Sequence, residues 1–141
     1  TPLREKVALH DPSVVKAELT PWRRDIFQQE LYPQPDVWRA ITFSRAPVPS
    51  VRDWDDSLLD SNPPLFWQHV GVYAYRRSVL EKWDSLPESP LAEIESLEQL
   101  RLVEAGISIA AVRVDQTAQG IDTAADYAVF VDRFLSQQAG R

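Results

Sequence analysis

Residues 89–114 read as a capped helix running straight into an apolar strand, and few folds accept that succession. Ser89 has the side chain of an N-cap, Pro90 suits the first helical position, and Gly106 suits the residue just past the end. Between them Leu91, Ile94, Leu97, Leu100 and Val103 recur at three-residue spacing, as on a helix with one buried seam. Ile107 to Val114, "ISIAAVRV", follows as a mostly apolar strand of the kind found inside a sheet. Thr123 and Asp126 form a T-x-x-D capping box for a last helix that reaches about Gln137. Strands alternate with helices, so the expected class is α/β.

Upstream, Val14 to Leu19 ("VVKAEL") and Arg39 to Ala46 ("RAITFSRA") read as strands, the second closed off by Pro47 and Pro49. Between them lies "TPWRRDIFQQELYPQPDVW", Thr20 to Trp38, where prolines bracket a short helical pattern at Arg23 to Leu31. Its length marks it as an inserted connection. Val51 to Leu65 is polar and proline-bearing, a loop. "WQHVGVYAYRR" then alternates as a strand from Trp67 to Tyr75, followed by a short amphipathic helix. Strand geometry puts Gln68, Val70, Val72 and Ala74 on one face, to pack inward, and Trp67, His69, Gly71, Tyr73 and Tyr75 on the other. An imidazole and two phenols around a glycine are more chemistry than a core requires.

Several function classes fall away on composition. The 141 residues contain no cysteine, which rules out a thiolate nucleophile and any Cys-ligated metal. Two histidines are too few for a three-His zinc site, and four glycines are too sparse for a P-loop or a GxGxxG turn. A net charge of −6 is the wrong sign for a general nucleic-acid binder, and no apolar run is long enough to span a bilayer. A cytoplasmic protein of one domain, or part of one, fits these bounds.

Four places carry candidate chemistry. Arg45 and Arg52 flank a proline-stiffened loop and could hold a carboxylate or phosphate in bidentate fashion, or pair with Asp53, Asp55 and Asp56 nearby. His69 and Tyr73 share a strand face and suit an oxyanion and a hydroxyl, or simply an aromatic core. Glu98 and Gln99, read as mid-helix, suit a polyol, although Glu98 is also spaced to pair with Arg101. Asp122 stands at the lip of the last helix, where a carboxylate can hold Mg²⁺ or cap the helix.

Their order along the chain resembles a known family. "HDPSVVKAEL", "FSRAPVP…RD", "HVGVYAYRR", "SPLAEIESLEQLR" and "GIDTAADY" are similar, in this order, to the C-terminal half of the 3-deoxy-manno-octulosonate (Kdo) cytidylyltransferases, or CMP-Kdo synthetases. The resemblance implies a nucleotide-diphospho-sugar-transferase-like (Rossmann-like) three-layer fold with a mixed sheet. It also implies the reaction of CTP with the sugar acid Kdo to give CMP-Kdo and pyrophosphate, for lipopolysaccharide, with Mg²⁺ and in a homodimer. By motif position His69, Tyr73, Glu98, Gln99, Arg45 and, more weakly, Arg52 correspond to sugar-acid contacts, and Asp122 to one of two magnesium aspartates. The family's phosphate loop, cytidine contacts and second aspartate have no counterpart here, so residues 1–141 are expected to be the sugar-acid and dimerisation half, inactive alone. Related acids such as amino-Kdo or sialic acid, and a non-catalytic sugar-acid-binding module, are the alternative readings.

Overall fold

The structure, a computed structural model, describes residues 1–21, 37–115, 121 and 123–139. In chain order its elements are α1 (Lys6–His10), β1 (Lys16–Pro21), β2 (Val37–Ser44), α2 (Arg77–Leu80), α3 (Pro90–Glu95), α4 (Leu100–Glu104), β3 (Ala110–Val112) and α5 (Ala124–Ala139). Short 3-10 turns occupy Asp56–Asp60 and Trp83–Ser85. The class is α/β, as the sequence implies. The sheet order is β1-β2-β3, and both strand pairings are antiparallel; the expected mixed sheet has no parallel pairing among the described residues.

β1 and β2 begin where the sequence alternates, and their pairing runs from Lys16 opposite Ser44 to Pro21 opposite Trp38. The ends of the expected insertion, Thr20, Pro21, Val37 and Trp38, are therefore strand; its helical pattern at Arg23 to Leu31 lies outside the described residues. Register slips once. Glu18 faces Thr42 while Leu19 faces Ala40, leaving Ile41 as the extra residue of a bulge. The slip turns Ala40 and Phe43, three apart, into the same core, where a regular strand would send them to opposite faces.

That core joins Ala17, Ala40, Phe43, Trp67, Leu97 and Leu100. A second cluster of Leu3, Leu9, Leu59 and Phe66 sits under the loop that follows β2. β3 is shorter than the expected strand. In the described residues it is an edge, and Ile107, Ile109 and Ala111 turn inward while Ala110 and Val112 stay exposed. Alternation, rather than continuous burial, was the pattern in this segment.

The helix expected between Ser89 and Gly106 is two helices. Ser89 caps α3 by accepting a hydrogen bond from the Ala92 N–H at 3.1 Å, and Gly106 ends α4 with φ 74°. Between them Ser96 takes φ 51° and ψ 50°, the left-handed region, while Leu97 N–H reaches back to Ala92 O at 3.0 Å and Ser96 N–H to Glu93 O at 3.3 Å. This is a Schellman end with serine where glycine is usual. The break divides the expected seam: Leu97 and Leu100 are buried, but Leu91 and Ile94 are exposed, Ile94 to 82%. Glu98 and Gln99 accordingly stand in the joint between two helices, not in mid-helix.

Candidate functional site

The segment read as the polar aromatic strand is extended only at its start. Trp67 and Gln68 form isolated bridges to Pro2 and Lys16, and His69 N–H donates to Val15 O at 2.9 Å. Beyond this the chain leaves the ladder. Gly71 adopts φ 79°, a conformation that costs other residues strain and glycine little. A Cβ there would meet nothing nearer than the His69 ring at 3.9 Å, so it is the backbone angle, not space, that favours glycine.

This turn makes the site. In a strand, residues four apart are separated by about 13 Å. Here the hydroxyl of Tyr73 and Nε2 of His69 form a hydrogen bond of 2.7 Å. The His69 ring rests edge-on against Phe43 of β2, with centroids 5.0 Å apart. Tyr73 stacks on Tyr75 at 5.6 Å, and Tyr75 meets Trp83 edge-on at 5.9 Å. The polar aromatic side chains are half-buried against one another, while the valines expected to pack inward face solvent, Val72 with 85% exposure. The expected inward face is thus the exposed one, because the strand that the alternation predicts ends at His69.

Burial sets the charge states. It lowers the pKa of His69 and raises that of Tyr73, with Tyr75 and the Glu98 carboxylate adding to the second shift. Tyr75 is also pushed up, by burial and then by Glu98. Glu98 thus lies close enough to both phenols for its charge to be felt. It is exposed, and Arg101 does not neutralise it: the Arg101 guanidinium bonds to the carbonyls of Leu86 and Pro87 instead. Next to it, Gln99 is only 3% exposed, and its Nε2 has no hydrogen-bond partner. Native interiors rarely leave an amide donor unmatched.

The arginines behave differently from expectation. Arg45 directs Nε to Glu95 O at 2.7 Å, Nη1 to Pro12 O at 2.9 Å and Nη2 to Ser96 O at 3.4 Å. Its guanidinium is committed to backbone carbonyls. Arg52 is exposed on the following loop, and neither arginine pairs with Asp53, Asp55 or Asp56. Asp122 lies outside the described residues. Asp126 does close the capping box, accepting from Thr123 N–H at 2.9 Å and from its hydroxyl at 2.7 Å.

Two groups escaped the reading of the sequence. Lys16 is fully buried, with Nζ donating to the carbonyls of Asp11, Val14 and Arg45, and burial lowers its pKa. Glu95 accepts from the Ser44 hydroxyl at 2.7 Å and from Arg45 N–H at 2.8 Å. Burial opposes its ionisation, but these bonds and the charges of Arg45 and Lys16 outweigh it and keep the carboxyl below its ordinary range. A lysine in an alternating strand and a glutamate on a helix carry no local signal of such roles.

Comparison with known proteins adds an independent line. A family model described as cytidylyltransferase matches residues 7–109. The 3-deoxy-manno-octulosonate cytidylyltransferase of Rhodopirellula baltica is 43% identical over 136 residues, 96% of this chain and 48% of that protein. The enzyme of the same name from Gemmatimonas aurantiaca is 50% identical over 91 residues, 64% of this chain and 34% of its own. Among solved structures, CMP:2-keto-3-deoxy-manno-octonic acid synthetase complexed with CTP superposes with a TM-score of 0.66 at 34% identity, covering 95% of this chain and 46% of that one. The chain spans about half the length of the curated relatives it matches, or less.

Proposed function

Since the chain belongs to the cytidylyltransferase family, we propose that it supplies the sugar-acid side of a Kdo cytidylyltransferase, which joins CTP to Kdo and releases pyrophosphate. The observation that carries this reading is the His69–Tyr73 pair with the Glu98 carboxylate close enough to act on Tyr73, followed in the chain by the buried, unmatched amide of Gln99. A polyol needs such a mixture of neutral donors and acceptors, and a packed core has no use for an orphaned amide. In this reading the Gln99 amide donates to a sugar oxygen, Glu98 accepts from a hydroxyl, and His69 and Tyr73 hold a further hydroxyl as a neutral pair. Arg52 is the guanidinium left to meet the acid's carboxylate.

The transfer asks little covalent work of the protein. The anomeric hydroxyl attacks the α-phosphorus of CTP, the bond to the β-phosphate breaks, and pyrophosphate leaves with its electron pair as the hydroxyl loses its proton. These side chains contribute by fixing the hydroxyl's position and orientation. The nucleotide's contacts belong, in this proposal, to residues outside this sequence. Mg²⁺ would neutralise phosphate charge, with Asp122 as one ligand. No group of three metal-type side chains occurs among the described residues. A homodimer in the cytoplasm and a role in lipopolysaccharide synthesis belong to the same proposal; no helix among the described residues is long and apolar enough to cross a membrane.

The test is pyrophosphate release by the complete enzyme with CTP and each of Kdo, amino-Kdo and sialic acid. Turnover with Kdo foremost is the expected result. Turnover only with another acid, or binding without turnover, replaces the reading with one of its alternatives.

A further inference from the structure

The end of β2 and the end of α3 are clasped together. Ser44 and the Arg45 backbone N–H both donate to the Glu95 carboxylate, while the Arg45 side chain turns back to the carbonyls of Glu95 and Ser96. Lys16, buried, bonds to the Arg45 carbonyl from the other side. The carbonyls that Arg45 satisfies are those left open where α3 stops, and a cation is favourable at that end of a helix. Immediately afterwards Ser96 sits in the left-handed region, and the chain turns to Glu98 and Gln99.

We propose that Arg45 is a positioning residue. It fixes the point at which α3 ends and thereby the direction in which the chain presents Glu98 and Gln99. Serine is a poor occupant of the left-handed position, so the break needs an outside hold, and Arg45 is the group that bonds to both of its carbonyls. The inference rests on the sugar-acid reading of Glu98 and Gln99. It departs from that reading's motif expectation, in which Arg45 itself meets the acid.

The two roles separate in a double-mutant cycle on the complete enzyme, with Arg45→Ala, Glu95→Ala and the pair, and with Ser96→Gly added to Arg45→Ala. Glu95 opens the clasp from its other partner and is not placed at the sugar. As a positioning residue, Arg45→Ala and Glu95→Ala each raise the KM for Kdo about tenfold with the KM for CTP unchanged, the pair is no worse than either, and Ser96→Gly recovers part of the loss. A KM that responds to Arg45→Ala but not to Glu95→Ala, or effects that multiply, makes Arg45 a direct contact and overturns the proposal. Amide exchange at Leu97, whose N–H closes the break, is followed without ligand. Faster exchange in both single variants supports the clasp, and unchanged exchange overturns it. This second measurement stands even if the wild-type enzyme takes no Kdo, a result that removes the sugar-acid reading by itself. Should Arg45→Ala fail to fold, Arg45→Lys with Glu95→Gln carries the same cycle.

Discussion

The Tyr73 hydroxyl lies 2.7 Å from Nε2 of His69, a contact created by the left-handed turn at Gly71 between them. Burial moves the two pKa values apart, His69 downward and Tyr73 upward, so near neutral pH both partners are uncharged. Such a pair offers a sugar hydroxyl one donor and one acceptor without importing a charge into a half-buried place.

Replacing His69 with alanine, or Tyr73 with phenylalanine, is expected to weaken Kdo binding about tenfold, as the loss of one hydrogen-bonded partner should. Calorimetric titration of the complete enzyme reads the affinity, and a circular-dichroism melt checks that the variants fold. Unchanged affinity in both removes the pair from the site.

The lowered pKa of His69 also has a consequence for stability. The unfolded chain binds a proton near the ordinary histidine value of about 6.5, while the folded chain resists it until lower pH. Stability contributed by the neutral ring is therefore fully present above about pH 6.5 and declines as pH falls from there toward the folded-state value. Urea midpoints between pH 7.5 and pH 5 are expected to fall less steeply in His69→Gln than in wild type. Parallel slopes would show that the ring protonates equally in both states.

Gln99 should display opposed effects on stability and binding. Gln99→Leu removes a buried donor that has no partner, so stability is expected to rise by about 1 kcal/mol while sugar-acid affinity falls. Chemical denaturation and titration on the same variant check both. A variant that loses both stability and affinity marks Gln99 as a structural residue with an overlooked partner.

Lys16→Met is expected to cost about 3 kcal/mol, since it removes the common donor of three half-buried carbonyls. The shift in urea midpoint measures it. A loss under about 1 kcal/mol would mean that water replaces the ammonium at little cost.

What was legible in the sequence was local. Ser89, Gly106 and the Thr123–Asp126 box mark helix ends through their own side chains or backbone freedom, and each does what its residue type suggests. β1 and β2 are found where β-branched and alternating residues place them, apart from the bulge at Ile41, which depends on pairing with another segment. The misreadings share one cause. Ser96 and Gly71 each reverse the chain inside a stretch whose periodicity is unbroken, and periodicity carries no mark of a single residue in the left-handed region. The motif marks Arg45 as a candidate, but what its guanidinium bonds to is decided by Glu95 and Ser96, fifty residues away or more. Glu98 and Gln99 lie in the joint between α3 and α4, where the periodicity predicts mid-helix positions.

The last rung of the β1–β2 ladder, Pro21 opposite Trp38, holds the two ends of the intervening connection side by side. The chain departs and returns at neighbouring anchors already held by the sheet, so whatever joins them adds only a slowly growing closure entropy.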